Sequence, residues 1–337
     1  MTISLRSLIL STALLVPGVA AAAELNLYTS REPGLVAPLL EAFTEETGVT
    51  VNTVFLKDGL AERVQAEGAS SPADVLMAVD AGNMNDFVEM GLTQPITSKA
   101  VLAAVPTALH GPDDQWVALS MRARVVYAAK DLDISSITYE DLADPKWKGK
   151  LCIRSGQHPY NTALFAAYLA HHGAEATETW LAGMKDNLAR TPGGGDRDGA
   201  KDILGGICDI AVANSYYVGK MRTNEKDPQQ KEWGEAIKVL LPTFEDGGTH
   251  VNISGAAIAK HAPNHAEAVK LLEFLTSDDA QKLYAEANFE YPVKAGADLS
   301  PIVASFGDLK IDSLPLSEVV AGRKQVSNMV DKVGFNN

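Results

Sequence analysis

The chain has 337 residues, 46% of them apolar and 7% aromatic, and a net charge of −14. That length allows roughly two globular domains of about 150 residues each. The acidic balance argues against nucleic acid and anionic membrane surfaces as partners, since both repel a negative surface.

At the N-terminus Arg6 precedes the apolar run Leu8 to Val19, and Ala21-Ala22-Ala23 supplies small residues at signal-peptidase spacing. The expectation is export to the periplasm, with residues 1–23 removed as a signal peptide and Glu24 first in the mature chain. The run contains Pro17 and is short for a bilayer, which argues against a membrane-spanning anchor, and no Cys follows it to carry a lipid. Loss of Arg6 leaves 28 basic and 43 acidic residues, a net charge of −15.

Residues 24–29 alternate as a strand. Leu35, Leu39 and Phe43, backed by Val36 and Leu40, then mark one helical face between Pro33 and Gly48. Residues 49–55 are β-branched and extended, 58–67 helical, 73–79 a third strand and 81–90 a short helix. Strand and helix alternating at this spacing imply a parallel sheet with right-handed crossovers. Residues 116–129 read as a strand long enough to pass between two lobes. Residues 137–150 follow as a helix and turn, 151–153 as a strand, and 162–171 and 174–188 as helices. After the break at Pro192-Gly193-Gly194-Gly195, a helix over 198–204 leads to a buried strand over 207–213. Residues 252–259 read as a return crossing, 264–275 and 278–287 as helices, and 316–333 as a closing helix. The expected fold is α/β and two-lobed, with a hinged cleft. One lobe holds residues 24–122 plus 245–297, the other 123–244 plus 298–337.

The stretch Asn214-Ser215-Tyr216-Tyr217-Val218-Gly219 places two phenols where a strand ends and a loop begins, the edge at which open α/β sheets bind ligands. A tyrosine pair commonly packs in a core with one hydrogen bond each. Here the polar, turn-like flanks favour a second use. Phenol oxygens are hard donors, and a bound cation draws off the phenol proton.

The two cysteines, Cys152 and Cys208, read first as a disulfide in an oxidising compartment, with two buried thiols as the alternative. Tyr160 lies eight residues after Cys152, and Tyr216 eight after Cys208. If the two strands are parallel neighbours tied by a disulfide, their downstream segments start at one height and Tyr160 meets Tyr216 at the cleft. Three phenolates neutralise one trivalent cation, and the remaining coordination positions call for water or an anion held by a basic side chain. Arg122 and Arg124 share a face of the crossing strand, each with a surface salt bridge as the plainer role. The histidines form no metal-binding pattern, and Asp196-Arg197-Asp198-Gly199 reads as a helix cap rather than a calcium loop.

The chain resembles the periplasmic ferric-ion-binding proteins of bacterial iron ABC importers, transferrin-like members of the type II substrate-binding fold, over essentially the whole mature sequence. The carrying pieces are Leu27-Tyr28-Thr29-Ser30-Arg31-Glu32-Pro33, Arg122-Ala123-Arg124-Val125-Val126-Tyr127, Leu142 to Lys150, Asp196-Arg197-Asp198 and Ala213 to Tyr217. The resemblance implies Tyr160, Tyr216 and Tyr217 as iron ligands. It implies Arg122, then Arg124, as holders of a carbonate or bicarbonate anion, with Arg31 close enough to assist. Where many relatives carry a His-Tyr pair, this chain has Glu32 and Pro33, which points to a three-tyrosine subclass with Glu32 as a candidate replacement ligand. Tyr28 is expected behind the ligands. The implied role is a monomeric, non-enzymatic Fe(III)-binding subunit that delivers its ion to an inner-membrane ABC permease. The same fold binding an organic solute (a polyamine, thiamine or a phosphorylated compound) is the alternative, and a secreted enzyme a remote one.

Overall fold

A computed structural model describes residues 23–337. The apolar leader lies outside the described residues. The chain opens with β1 (Glu24–Thr29), α1 (Pro33–Thr47), β2 (Thr50–Phe55), α2 (Leu60–Glu67), β3 (Val75–Val79) and α3 (Ala81–Glu89). The apolar stripe of α1 buries Val36, Leu39, Leu40 and Phe43, while Leu35 turns toward the cleft. Gly48 ends the helix at φ 71°, a left-handed cap that glycine adopts without a Cβ clash.

β4 (Thr93–Gln94) and α4 (Lys99–Ala104) lead into β5 (Val117–Ala129), which is buried along nearly all its length. Next come β6 (Leu151–Cys152), α5 (Pro159–Asp186), α6 (Asp196–Leu204), β7 (Ile210–Asn214), α7 (Tyr216–Arg222), α8 (Pro228–Glu235) and β8 (Ile237–Leu240). The return passes through β9 (Val251–Ala259), α9 (His265–Leu275), α10 (Asp278–Asn288), β10 (Tyr291–Pro292), α11 (Pro301–Ala304) and α12 (Leu316–Lys332). Among the described residues no helix is long and apolar enough to cross a membrane.

Strand pairing gives a mixed α/β fold of two sheets that share β5. On one side β1 runs parallel to β2 and β3, and β9 lies antiparallel between β3 and β5. On the other, β5 pairs antiparallel with β7 and β8, and β7 pairs parallel with β6. The change of partner falls between Ala123, which faces Val251 of β9, and Arg124, which faces Asn214 of β7. The backbone N–H of Arg124 donates to the His250 carbonyl at 2.9 Å, so the return segment runs beside β5 at the switch.

Local differences from the sequence expectation have local causes. Residues 137–150 form two 3₁₀ turns, Glu140–Ala143 and Pro145–Trp147, because Pro145 stops a helix and Asp144 caps the second turn. The helices expected over 162–171 and 174–188 are the two arms of α5, broken at Gly173, φ 77°. Tyr216 and Tyr217 start a helix rather than a loop. At seven residues α7 is too short for its periodicity to stand out in sequence.

Cys152 and Cys208 form a disulfide, with Cα atoms 5.9 Å apart. β6 and β7 are parallel neighbours, but Cys152 pairs with Ala211 in the ladder, so the bond runs diagonally. The expectation that both downstream segments start at one height is therefore corrected by three residues. The bond closes a 56-residue span, worth about 4 kcal/mol in the chain-entropy account. Reduction, or Cys152→Ser with Cys208→Ser, is expected to lower unfolding free energy by up to about that amount; a denaturant midpoint unchanged by reductant would contradict it.

Candidate metal centre

Both tyrosine-bearing segments start where a strand of the second sheet ends. After β6 the chain turns through Arg154 to His158 and enters α5 with Pro159 at its first position, where a missing N–H costs nothing. His158 caps that helix, its Nδ1 accepting from the Tyr160 N–H at 3.2 Å, and its ring meets the Tyr160 ring edge-on at 4.5 Å. Burial, then the neighbouring Arg154, holds the His158 pKa down at about 4, so at neutral pH the ring is uncharged and free to accept. After β7, Tyr216 and Tyr217 open α7 with ring centroids 4.1 Å apart.

The three tyrosines line one cavity of about 600 Å³ between the sheets, together with Arg31, Glu32 and Arg122. Tyr216 is buried, whereas Tyr160 and Tyr217 are partly open. Burial, then the charge of Tyr160, pushes the Tyr217 phenol up to about 12. The same two causes, in the same order, raise Tyr216 well above the usual phenol range. Without a cation both therefore keep their protons at neutral pH. Among the described residues no group of three or more His, Cys, Asp or Glu side chains is arranged to hold a metal; the three phenols are hard oxygen donors that share the cavity.

The arginines divide into two sets. Arg122 and Arg31 are each 1% exposed, and both donate to the Ser254 hydroxyl, Arg122 at 3.2 Å. Arg31 is paired with buried Glu290 at 3.0 Å, whose other oxygen accepts from Ser120. Arg122 has no carboxylate partner, and its Nε and Nη2 are buried without a protein acceptor. Its Cζ lies 5.4 Å from the Tyr160 ring centroid. Two guanidinium groups against one carboxylate leave a buried positive charge at the cavity wall, a natural seat for an anion.

Arg124 differs. Its Nη1 donates to Asp196 at 2.6 Å and Asn214 at 3.1 Å, and its Nη2 to Asn161 at 2.5 Å. It is not among the cavity-lining residues, so its expected share in holding an anion gives way to an internal one. Tyr28 is likewise displaced from the expected place. Its hydroxyl donates to Glu67 at 3.1 Å, Arg63 lies over its ring, and it does not line the cavity. Strand alternation turns it to the α2 side, a direction that proximity in sequence does not reveal. Glu32 is exposed at the cavity rim, caps nothing with its side chain, and remains free to turn inward.

Sequence reasoning missed Arg154, which packs on Tyr160 at 5.2 Å, and Arg197, which packs on Tyr217 at 5.2 Å. It also missed Asp196 and Glu290. Arg154 lies two residues after the β6 strand, a position at the ligand-bearing sheet edge that gives a usable signal. The acidic pair around Arg197 was read as a cap, and that holds for Asp198, which accepts from the Gly195 N–H.

Residues 70–305 match the family described as bacterial extracellular solute-binding protein. Iron uptake protein A1 of Synechocystis is 41% identical over 93% of this chain and 87% of its own. Among solved structures, a Bordetella ferric binding protein is 63% identical with a TM-score of 0.89, covering 93% of this chain and all of that one. A Trichodesmium protein in complex with iron and citrate is 39% identical with a TM-score of 0.88, over 93% of this chain and all of its own.

A spectrophotometric titration of the iron-free protein checks the electrostatics. The phenolate absorbance lost in Tyr217→Phe is expected to belong to a group titrating near pH 12. A raised phenol pKa favours the folded state below pH 10 and loses that contribution as pH climbs through 12, so Tyr217→Phe should also soften the alkaline stability loss. A difference spectrum titrating at the free-phenol value would contradict the burial argument.

Proposed function

The chain belongs to the bacterial extracellular solute-binding proteins, in their ferric-iron-binding periplasmic branch, and we propose that it captures Fe(III) through the phenolates of Tyr160, Tyr216 and Tyr217. The observation that carries this reading is the sharing of one cavity by three phenols, two of them too costly to ionise unless a cation of high charge arrives. A trivalent ion meets that cost, because three phenolates leave no net charge to bury. A singly charged organic solute offers far less compensation.

The phenolates leave coordination positions open. We assign them to a synergistic oxyanion, carbonate or bicarbonate, on the free edge of Arg122, with Arg31 adding positive field from behind Ser254. The cavity volume also admits a larger polycarboxylate, so the anion has to be identified by experiment. Glu32 is the candidate for a further ligand from the opposite wall. The family supports a further step in which the acidic chain acts as a periplasmic carrier and hands its ion to an inner-membrane ABC permease.

Binding must expel the phenol protons, so ferric affinity should fall as pH falls, with a limiting slope of about three protons per ion. Titration of iron-free protein with ferric nitrilotriacetate is expected to give a phenolate-to-iron absorption band in the visible. Tyr216→Phe or Tyr217→Phe should weaken the band and cost more than about 100-fold in affinity, beyond the usual loss from a supporting residue. Arg122→Ala should abolish the dependence on bicarbonate; parallel titrations with citrate separate the two anions. A wild-type protein that stays colourless, or whose affinity ignores pH, would overturn the reading.

A further inference from the structure

We propose that the buried Arg124–Asp196 pair is a positioning device that brings the Tyr160 and Tyr216–Tyr217 segments to a single ion, and that Arg124 is not part of the anion site. The assignment rests on the tyrosine reading above.

Arg124 touches the neighbour of each ligand-bearing turn. Its Nη2 reaches Asn161, the residue after Tyr160, and its Nη1 reaches Asn214, two residues before Tyr216. Asp196, the first residue of α6, accepts from Arg124 Nη1 at 2.6 Å and from the Asn214 backbone N–H at 2.8 Å. Its other oxygen accepts from Arg154 at 3.3 Å, the arginine that packs on Tyr160. Asn161 turns its amide the other way, donating to the Arg154 and Ser155 carbonyls at 2.9 and 3.0 Å and fixing the loop between β6 and α5. One planar guanidinium thus spans the start of α5 and the end of β7, and one carboxylate locks it from a third element.

The physical cost explains what the pair is for. Arg124 is 2% exposed and the Asp196 side chain 0%. Such a pair must recover a desolvation penalty of several kcal/mol for each ion, and it contributes little net stability against apolar packing. What it does supply is geometry. The fork donates in fixed directions, and a displacement of either segment breaks a buried bond. Arg122, two residues earlier, lines the cavity and, among the described residues, keeps two nitrogens without partners where Arg124 keeps one.

The test compares three variants by visible spectrum, ferric affinity and bicarbonate dependence, with thermal midpoint and far-ultraviolet circular dichroism as controls for folding. Asp196→Asn keeps an acceptor oxygen but removes the charge that orients Arg124 and Arg154. Asn214→Ala leaves the ion pair intact and frees only the Tyr216 side, so it folds even if Asp196→Asn does not. Both are expected to shift and weaken the phenolate-to-iron band and to lose roughly 10- to 100-fold in affinity, while bicarbonate still strengthens binding. Arg122→Lys is expected to lose the bicarbonate response first. Folded Asp196→Asn and Asn214→Ala proteins with the wild-type band and affinity would overturn the proposal, as would Asn214→Ala losing its bicarbonate response. A wild type without a band overturns the tyrosine reading, and this assignment with it.

Discussion

One strand belongs to two sheets, and the chemistry of the cleft follows from that. β5 leaves β9 at Ala123 and joins β7 at Arg124, so Arg122 and Arg124 share a strand face yet answer to different neighbours. Arg122 stands opposite Asn252 on the first sheet, and its guanidinium meets Ser254 at the cleft wall. Arg124 stands opposite Asn214 on the second sheet, and its guanidinium is taken up by Asp196, Asn161 and Asn214. Two chemically identical residues therefore differ in what they can still bind. Spacing alone does not separate them, because alternation puts both on one side; the change of sheet between them does.

Charge balance ties the two walls of the cleft together. The first wall carries Arg31 and Arg122 against Glu290, and the second carries Arg124 and Arg154 against Asp196. Among these groups each wall carries one more positive than negative charge. Burial makes isolated charge expensive, so this imbalance favours a ligand that brings an anion with it. Under the proposed function a neutral cluster of one trivalent ion and three phenolates leaves that balance as it is, and an oxyanion on the free guanidinium edge supplies the negative charge.

Much of this was legible in sequence. Strand and helix alternation gave the parallel sheet, the length of the 116–129 stretch marked the crossing strand, and the paired cysteines in an exported chain pointed to the disulfide. The spacing of Tyr160 and Tyr216 from their cysteines led to the right meeting place by an argument that is partly wrong. Cys152 lies level with Ala211, and the segments meet because both strands end at one edge and both chains turn into helices there. What stayed hidden depended on direction. Tyr28 sits four residues before Glu32 but faces α2, and Asp196 looks like a cap residue until Arg124 arrives from seventy-two positions away. Glu290 pairs with Arg31 across a still longer stretch of chain. Charge pairs between distant elements leave no periodic trace.

The helix that carries two of the phenols is also a point of contact between the lobes. One turn beyond Tyr216, Gly219 packs so closely on Phe289 that a Cβ there would lie 2.1 Å from the ring. The next residue, Lys220, donates to the Ala287 carbonyl at 2.7 Å. Both partners lie at the end of α10, immediately before Glu290, which holds Arg31. β9, expected as a second crossing, pairs only within the first sheet, so a rotation of one sheet against the other about β5 would slide α7 on α10 and move Tyr216 and Tyr217 relative to the Arg31–Glu290 pair. Packed contacts of this kind shift between discrete arrangements rather than deforming smoothly. The same seven-residue helix carries Tyr216 and Tyr217 at its first turn and the contact with α10 at its second.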